Sequence, residues 1–500
     1  MAFVVAILAF RLVSLAAYPL MDTSEARYGE IARVMVETGD WITPQETPGT
    51  PFWAKPPLST WLSAASAAAL GPSEFALRLP SLACALAVLA LCAAWARTQA
   101  GACGASGAGS AGLAAWLSLA LLATATGFFV AAGAVMTDPS LVVCTTAMLA
   151  AFHRAAVRGA ASPWWRYGFF LAAGLGMLAK GPVILLYVGA PVFVWTIWQR
   201  RVAAVWHALP WAGGTVLAAL ICVPWYVVAE QHTPGFLRYF LVGEHFMRFL
   251  KPGWGGDLYG TAHAEPLGTI WLYLAGAAGP GLLVLVLALA GAALARARGS
   301  ESSMDDSGPG RRFLLLAAGV PVVCFTFAGN IIWTYVLPAL PPLAVLAGDL
   351  LAPRFERSPG WRRGVFAALA ASGLFAALAF TVFVPRHVRS HSSADLVAEW
   401  RRQGGPASGE LRYLGRKAPA SLRFYARGAV RLAPDVAQAL AGLEPGGQRY
   451  LALSPGNDAD ARRAIGALPI AASVESLGAD KDLELLRVRR AAPAAGSVHD

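Results

Sequence analysis

Residues 208–229 read Ala208-Leu-Pro-Trp-Ala-Gly-Gly-Thr-Val-Leu-Ala-Ala-Leu-Ile-Cys-Val-Pro-Trp-Tyr-Val-Val-Ala229, without one Lys, Arg, Asp or Glu. About 20 helical residues cross the hydrocarbon core of a bilayer, so a run of this length and composition reads as a membrane-spanning helix. Similar runs lie near 2–21, 75–96, 110–131, 139–157, 164–179, 182–199, 268–295, 312–328, 331–351 and 361–384. The expectation is an α-helical polytopic membrane protein of about 11–13 spans. Composition agrees: 57% of the 500 residues are hydrophobic and 14% charged, against about 25% charged in soluble domains. A soluble enzyme, a secreted disulfide scaffold and a nucleic-acid binder are excluded. The net charge of +11 lies mostly in short loops between the runs. The six cysteines, Cys84, Cys92, Cys103, Cys144, Cys222 and Cys324, form no Cys-x-x-Cys pair and read as apolar fillers.

Arginine placement orients the bundle. With the N-terminus inside and residues 2–21 kept as a first span, the inner loops hold Arg97, Arg154, Arg158, Arg166, Arg200, Arg201, Arg296, Arg298, Arg311, Arg312, Arg354, Arg357, Arg362 and Arg363. The outer face then carries two long loops, 22–74 and 230–267, and an odd span count puts residues 385–500 outside, which in a bacterium is the periplasm. The domain expectation is therefore 1–384 in the inner membrane and 385–500 as a small periplasmic α/β domain. Within the latter, helices are expected near 391–403, 419–426, 434–441 and 458–467, and strands at 410–414, 449–453 and 483–488. Residues 299–310 read as an inner flexible linker and 491–500 as a disordered tail.

Long outward loops over a rigid scaffold are where chemistry sits. The first opens Asp22-Thr-Ser-Glu25-Ala-Arg27-Tyr28-Gly-Glu30-Ile-Ala-Arg33, where Tyr28, Ile31 and Met35 share a helical face and Thr38-Gly39 ends the helix. Asp22 with Glu25 fits a capping box; at the mouth of a span, Asp22 equally suits a base or a ligand for a substrate hydroxyl. Pro51, Pro56 and Pro57 stiffen the backbone around Lys55, aiming it at a phosphate unless it merely snorkels to headgroups. Asp138, before Pro139, suits a turn or helix start, whereas Lys180 in Lys-Gly-Pro is a charge deep in an apolar stretch that calls for a partner or a task. In Glu244-His245-Phe-Met-Arg248, Glu244 and Arg248 form an ordinary helical ion pair or Arg248 grips a phosphate, and His245 is a polar loop residue or touches a phosphate or metal. His263 and Glu265 carry no specific spacing, and Tyr335 is a belt aromatic or a headgroup ligand. Together, Asp22, Glu25, Arg27, Lys55, Asp138, Lys180, His245, Arg248 and Tyr335 mix carboxylates with cations on the outward face, which suits a substrate with a lipid tail and a phosphate.

In order, Asp22-x-x-Glu-Ala-Arg-Tyr, Gly39-Asp40-Trp41, Lys55-Pro-Pro-Leu58, Leu178-Ala-Lys180-Gly-Pro, Glu244-His-Phe-Met-Arg248-Phe and Tyr335-Val-Leu-Pro-Ala-Leu-Pro-Pro342 resemble the GT-C membrane glycosyltransferases. Within them the set is similar to the aminoarabinose (lipid A) transferase and protein O-mannosyltransferase-like branch, over most of the membrane part; the α/β tail resembles that family's periplasmic domain. The resemblance implies a GT-C fold and an enzyme that passes a sugar from a polyprenyl-phosphate donor, with inversion, to an acceptor at the outer membrane face. That acceptor is lipid A first, then a protein hydroxyl, a hopanoid or another envelope glycan. By the same resemblance Asp22 orients or deprotonates the acceptor, Lys55, Arg248 and Tyr335 hold the donor phosphate, and Asp138 is a second pocket acid. An acceptor phosphate would already be ionised and would need no base. Two departures stand out. Ala54 replaces an acid that aminoarabinose transferases often carry before the lysine, so a divalent metal shared by that carboxylate and a histidine loses a ligand. Asn330-Ile-Ile-Trp333-Thr334 also stands where relatives often have a lysine. A different class, a lipid-linked sugar transporter or flippase, would show internal repeats and mid-membrane charges; no repeat is evident.

Overall fold

The computed structural model of the chain describes residues 2–101, 108–160, 162–260, 263–297, 308–405, 411–468, 472–480 and 482–492. Backbone contacts divide the chain into two compact units: Met1–Leu15 with Met35–Leu378, and Ala16–Val34 with Ala379–Asp500.

The first unit is that of a multi-pass membrane protein. In hydrocarbon every backbone N–H and C=O must be satisfied within its own segment, so apolar runs become helices. Each expected run meets at least one: Ala2–Ser14, Glu74–Ala100, Ala108–Thr124, Asp138–Phe152, Pro163–Lys180, Ala190–Trp198, Trp211–His232, Thr269–Ala278, Gly308–Phe325, Leu340–Arg357 and Pro359–Leu378. Among the described residues six helices are long and apolar enough to cross a membrane, or seven with one bent pair. That pair corrects the span expected at 268–295: Thr269–Ala278 and Pro280–Gly291 meet at 101°, with Gly279 and Pro280 at the break. Helix Leu58–Leu70, within the loop expected at 22–74, escaped the reading because thirteen residues are too short for a span. The first run also ends early, at Ser14. Arg11 is buried there and donates to Ser14 Oγ at 2.8 Å and to the Val130 carbonyl at 3.0 Å, so the charge is met inside the bundle.

Helices Asp138–Phe152 and Leu340–Arg357 are buried over most of their length, whereas Trp211–His232 keeps most of its apolar surface exposed. The former form the centre and the latter faces lipid. Close approach at the centre needs small residues. A Cβ on Gly348 would lie 2.4 Å from the Ala114 carbonyl and 2.1 Å from Ser118 Oγ, so helix Leu340–Arg357 lies against Ala108–Thr124 only because position 348 has no side chain. The five described cysteines are free thiols; Cys103, Arg298, Glu410, linker residues 299–307 and tail residues 493–500 lie outside the described residues. Gly308–Gly310, expected in that linker, begin a helix.

The second unit carries a five-stranded sheet. The first unit holds a small hairpin, β1 (Gln45–Thr47) and β2 (Thr50–Pro51); the sheet is made of β3 (Leu411–Leu414), β4 (Val430–Ala433), β5 (Gln448–Leu453), β6 (Ala472–Ala479) and β7 (Glu484–Arg490). Its order is β4-β3-β5-β7-β6. The β4–β3 and β3–β5 pairs are parallel, and β5–β7 and β7–β6 antiparallel. Alternation along β5 sends Tyr450 and Ala452 to one core with Leu396, Trp400 and Leu422, and Leu451 and Leu453 to the other with Ala439, Leu440 and Ile465. Helices thus cover both faces. The expected elements are present, while β4 and β6 are additions: both are edge strands, and edges lack the continuous apolar run of a central strand.

Gly348→Val is expected to wedge two central helices apart and cost about 1–3 kcal/mol, read as a lower melting temperature of the detergent-purified protein. An unchanged melting curve would show that the helices tolerate separation.

Candidate active site

The first unit contains a cavity of about 260 Å³ whose lining includes Lys55, Lys180, Glu244, His245, Arg248 and Tyr335. Five of the nine residues singled out from sequence are thus brought together, and Asp138 adjoins them through Lys180.

Each arrives for a local reason. Lys55 follows a pinned stretch: Trp53 Nε1 donates to Thr233 Oγ1 at 3.1 Å, its N–H to the Tyr259 hydroxyl at 3.0 Å, and that hydroxyl to the Pro51 carbonyl at 3.0 Å. The prolines supply the stiffness. Lys55 Nζ then reaches Glu244 Oε2 at 3.0 Å. Glu244, His245 and Arg248 come from a wide helical turn, Arg238–Met247, that runs into Arg248–Leu250. Arg248 Nη1 lies 3.3 Å from both Glu244 Oε2 and Asp257 Oδ2. Asn330, where relatives often carry lysine, fixes that turn: its Nδ2 donates to the carbonyls of Arg248 and Lys251 (2.5 and 2.7 Å), and its Oδ1 accepts from Gly253 N–H at 3.0 Å.

Lys180 ends helix Pro163–Lys180 and is met by Asp138, at the start of its own helix, at 2.6 Å. Its ammonium also lies 5.0 Å from the Tyr335 ring centre. Gly181 turns the chain at φ +80°, and a Cβ there would sit 2.5 Å from the Phe240 ring, so Lys-Gly-Pro needs its glycine for conformation and for space. The Tyr335 carbonyl accepts from the Tyr187 hydroxyl at 2.8 Å, which holds the segment leading into helix Leu340–Arg357.

Electrostatics follow from pairing. Burial alone would raise the Glu244 carboxyl; Lys55 and Arg248 outweigh it and hold it below the ordinary carboxylate range. Burial lowers the His245 imidazole, so it stays neutral. Its Nδ1 lies 2.8 Å from the Phe240 carbonyl and therefore carries the proton; Nε2 faces the Lys180 carbonyl at 3.4 Å. Ala54 offers no carboxylate, and among the described residues no three His, Cys, Asp or Glu side chains cluster for a cation.

Asp22, Glu25 and Arg27 belong to the second unit. The capping box is not formed as expected: Glu25 Oε2 accepts from Met21 N–H at 3.3 Å, while Asp22 accepts from Ser421 N–H at 3.0 Å and from Ser421 Oγ. Burial raises the Asp22 carboxyl and these hydrogen bonds from Ser421 oppose the rise. Arg27 lies on helix Ser24–Thr38. The sequence reading missed Asp257 and Tyr239, whose hydroxyl donates to Glu244 Oε1 at 3.1 Å. Neither stands at a spacing that signals function, and only the fold of the second loop delivers them.

Against known proteins, residues 1–240 match the family model for dolichyl-phosphate-mannose-protein mannosyltransferase. The undecaprenyl phosphate-alpha-4-amino-4-deoxy-L-arabinose arabinosyl transferase of Pseudomonas savastanoi pv. phaseolicola is 30% identical over 358 residues, 70% of this chain and 60% of that protein. The enzyme of the same name from Aeromonas salmonicida is 30% identical over 391 residues, 76% of this chain and 65% of its own. The crystal structure of ArnT from Cupriavidus metallidurans bound to undecaprenyl phosphate superposes with a TM-score of 0.74 at 20% identity, over 97% of both chains. The chain shares the fold of that structure, and its sequence is similar to the aminoarabinose transferases over most of its length. It spans less than two thirds of the length of these curated relatives. That scaffold holds the cavity, lined by the cations Lys55, Lys180 and Arg248 and by Glu244, within the first unit.

Two outcomes follow. Glu244 has a depressed folded pKa, so its ionised form stabilises the fold fully above the ordinary 4.5, and that stability is lost as pH falls through the depressed value. His245, also depressed, acts in the same direction below its ordinary 6.5. Melting temperature should fall in two stages on acidification, and His245→Gln should flatten the first; an unchanged first stage would remove His245 from the account. Ser421→Ala should cost about 1–3 kcal/mol by leaving Asp22 underpaired, whereas Asp22→Asn should retain part of the contact. Equal melting of wild type and Ser421→Ala would contradict the anchoring role.

Proposed function

We propose that this protein transfers a sugar from a polyprenyl-phosphate donor to an envelope acceptor, lipid A, at the periplasmic face of the bacterial inner membrane. The observation that carries this reading is the convergence of Lys55, Lys180 and Arg248 on one cavity also lined by Leu186, Phe246 and Phe249. Cations beside apolar walls suit a phosphate on a lipid tail. The relatives named for undecaprenyl phosphate-aminoarabinose support the donor class, and lipid A is the acceptor that the sequence resemblance implies.

In the proposed reaction a nucleophile attacks the anomeric carbon, and the sugar–oxygen bond breaks with its electron pair passing to the phosphate. Lys55 and Arg248 meet the charge that develops on that phosphate, Lys180 and Tyr335 flank it, and Asp138 balances Lys180. Proximity of donor and acceptor supplies much of the acceleration. Asp22, with Glu25 and Arg27 on the same segment, is assigned to the acceptor, orienting a hydroxyl or lying beside a phosphate nucleophile that needs no base. Residues 385–500 form the periplasmic domain in this reading. A protein hydroxyl is the second acceptor, favoured by the match of residues 1–240 to a protein mannosyltransferase family.

Mass spectra of lipid A from cells with the gene, without it, and with Lys55→Ala or Arg248→Ala test this. A sugar-sized mass should be present in the first and fall at least about tenfold in the others, the loss of one charge-assisted contact. Unchanged lipid A with sugar lost from glycoproteins would replace the acceptor; no change in any glycan would overturn the activity.

A further inference from the structure

Glu244 is the carboxylate that touches both phosphate-facing cations. Its side chain is 3% exposed, its Oε2 lies 3.0 Å from Lys55 and 3.3 Å from Arg248, and its Oε1 accepts from Tyr239. Asp257 meets Arg248 on another side at 3.3 Å and is 5% exposed. Formal charges therefore cancel: two cations, Lys55 and Arg248, against two carboxylates. Lys180 and Asp138 cancel separately. Counter-charges at this range subtract directly from anion affinity, so the pairing reduces the grip of the site on any phosphate. Among the described residues Arg248 Nε is a buried donor with no hydrogen-bond partner.

The balance matters because, on the function proposed above, two phosphates must visit this site. The donor is a phosphodiester carrying one negative charge. When the anomeric carbon–oxygen bond breaks, the electron pair goes to the phosphate, and the leaving polyprenyl monophosphate carries two charges. With a second pKa of about 6 the second charge is largely retained at neutral pH. A net-neutral cradle accepts the singly charged ester through the donors that remain and gains less from the second charge than an unopposed cation pair would. We propose that Glu244 is a product-release residue: its carboxylate sets the charge of the Lys55–Arg248 cradle so that the phosphodiester donor is held and the dianionic monophosphate is let go. It acts through Lys55 and Arg248 and is a positioning residue in that sense.

The test is equilibrium binding to the full-length protein in detergent, with two probes of identical tail: a polyprenyl monophosphate and its methyl phosphodiester. In Glu244→Gln, which keeps the side-chain shape and the acceptor for Tyr239, monophosphate affinity should rise about tenfold or more, a screened fraction of one charge at this distance. Diester affinity should move less than about threefold, and added monophosphate should inhibit turnover at correspondingly lower concentration. Asp257→Asn should shift the ratio in the same direction, which keeps the idea testable if Glu244→Gln does not fold. Equal weakening of both lipids would mean that Glu244 only holds its neighbours in place, and an unmoved ratio in both variants would likewise overturn the release role. Binding of both probes to wild type with an unmoved ratio would sink this inference alone; binding of neither would sink the reading of the cavity as well.

Discussion

A charge inside an apolar bundle must bring its counter-charge with it. Leaving an ion unpaired in hydrocarbon costs several kcal/mol or shifts the ion to its neutral form. Several charges of the first unit are met in this way, by a carboxylate or by neutral acceptors. Arg11 spends its guanidinium on Ser14 and a carbonyl. Lys180 is matched by Asp138 at 2.6 Å and Arg311 by Asp349 at 2.7 Å. Lys55 and Arg248 share Glu244. The helices are fixed against one another as much by where these pairs must close as by Gly348 and the buried aromatic core.

The rule shapes the site. On the proposed function the cavity takes a lipid phosphate, and its cations Lys55 and Arg248 already stand against carboxylates in the fold. The result is a cluster with little net charge that is held rigid by Asn330, Tyr239 and the pinned segment around Trp53. In the proposed transfer such preorganisation has a direct use: no side chain need travel to meet charge as it develops on the leaving phosphate. Ala54 places no carboxylate beside Lys55, and His245 turns its Nδ1 to the Phe240 carbonyl. Asn330, in place of a lysine, holds backbone carbonyls instead of adding a further positive charge.

Most of the helical architecture was legible in the sequence because the hydrophobic length that crosses a bilayer is a one-dimensional property. Lys55, Lys180, Arg248 and Tyr335 were legible too, since a charge or polar aromatic beside long apolar runs is conspicuous. The bend between Thr269–Ala278 and the helix beginning at Pro280 was not, because composition continues smoothly across it. Strands β4 and β6 escaped because edge strands carry a weak apolar signal. Glu244 looked like an ordinary partner of Arg248 four residues on, and that pair is real; its second bond, to Lys55 189 residues away, has no trace in spacing.

The sequence by itself determined that the chain spans a membrane many times, where its apolar runs lie, that a small α/β domain follows, and which polar residues stand out from the apolar background. These are local properties, carried by run length, period and isolated charge. Only the tertiary structure decided which carboxylate answers which cation, that Asp22 is held by Ser421, and that residues 16–34 group with 379–500. Those pairings join segments tens to hundreds of residues apart, and no local pattern records a contact whose two halves acquire their geometry only when the helices pack.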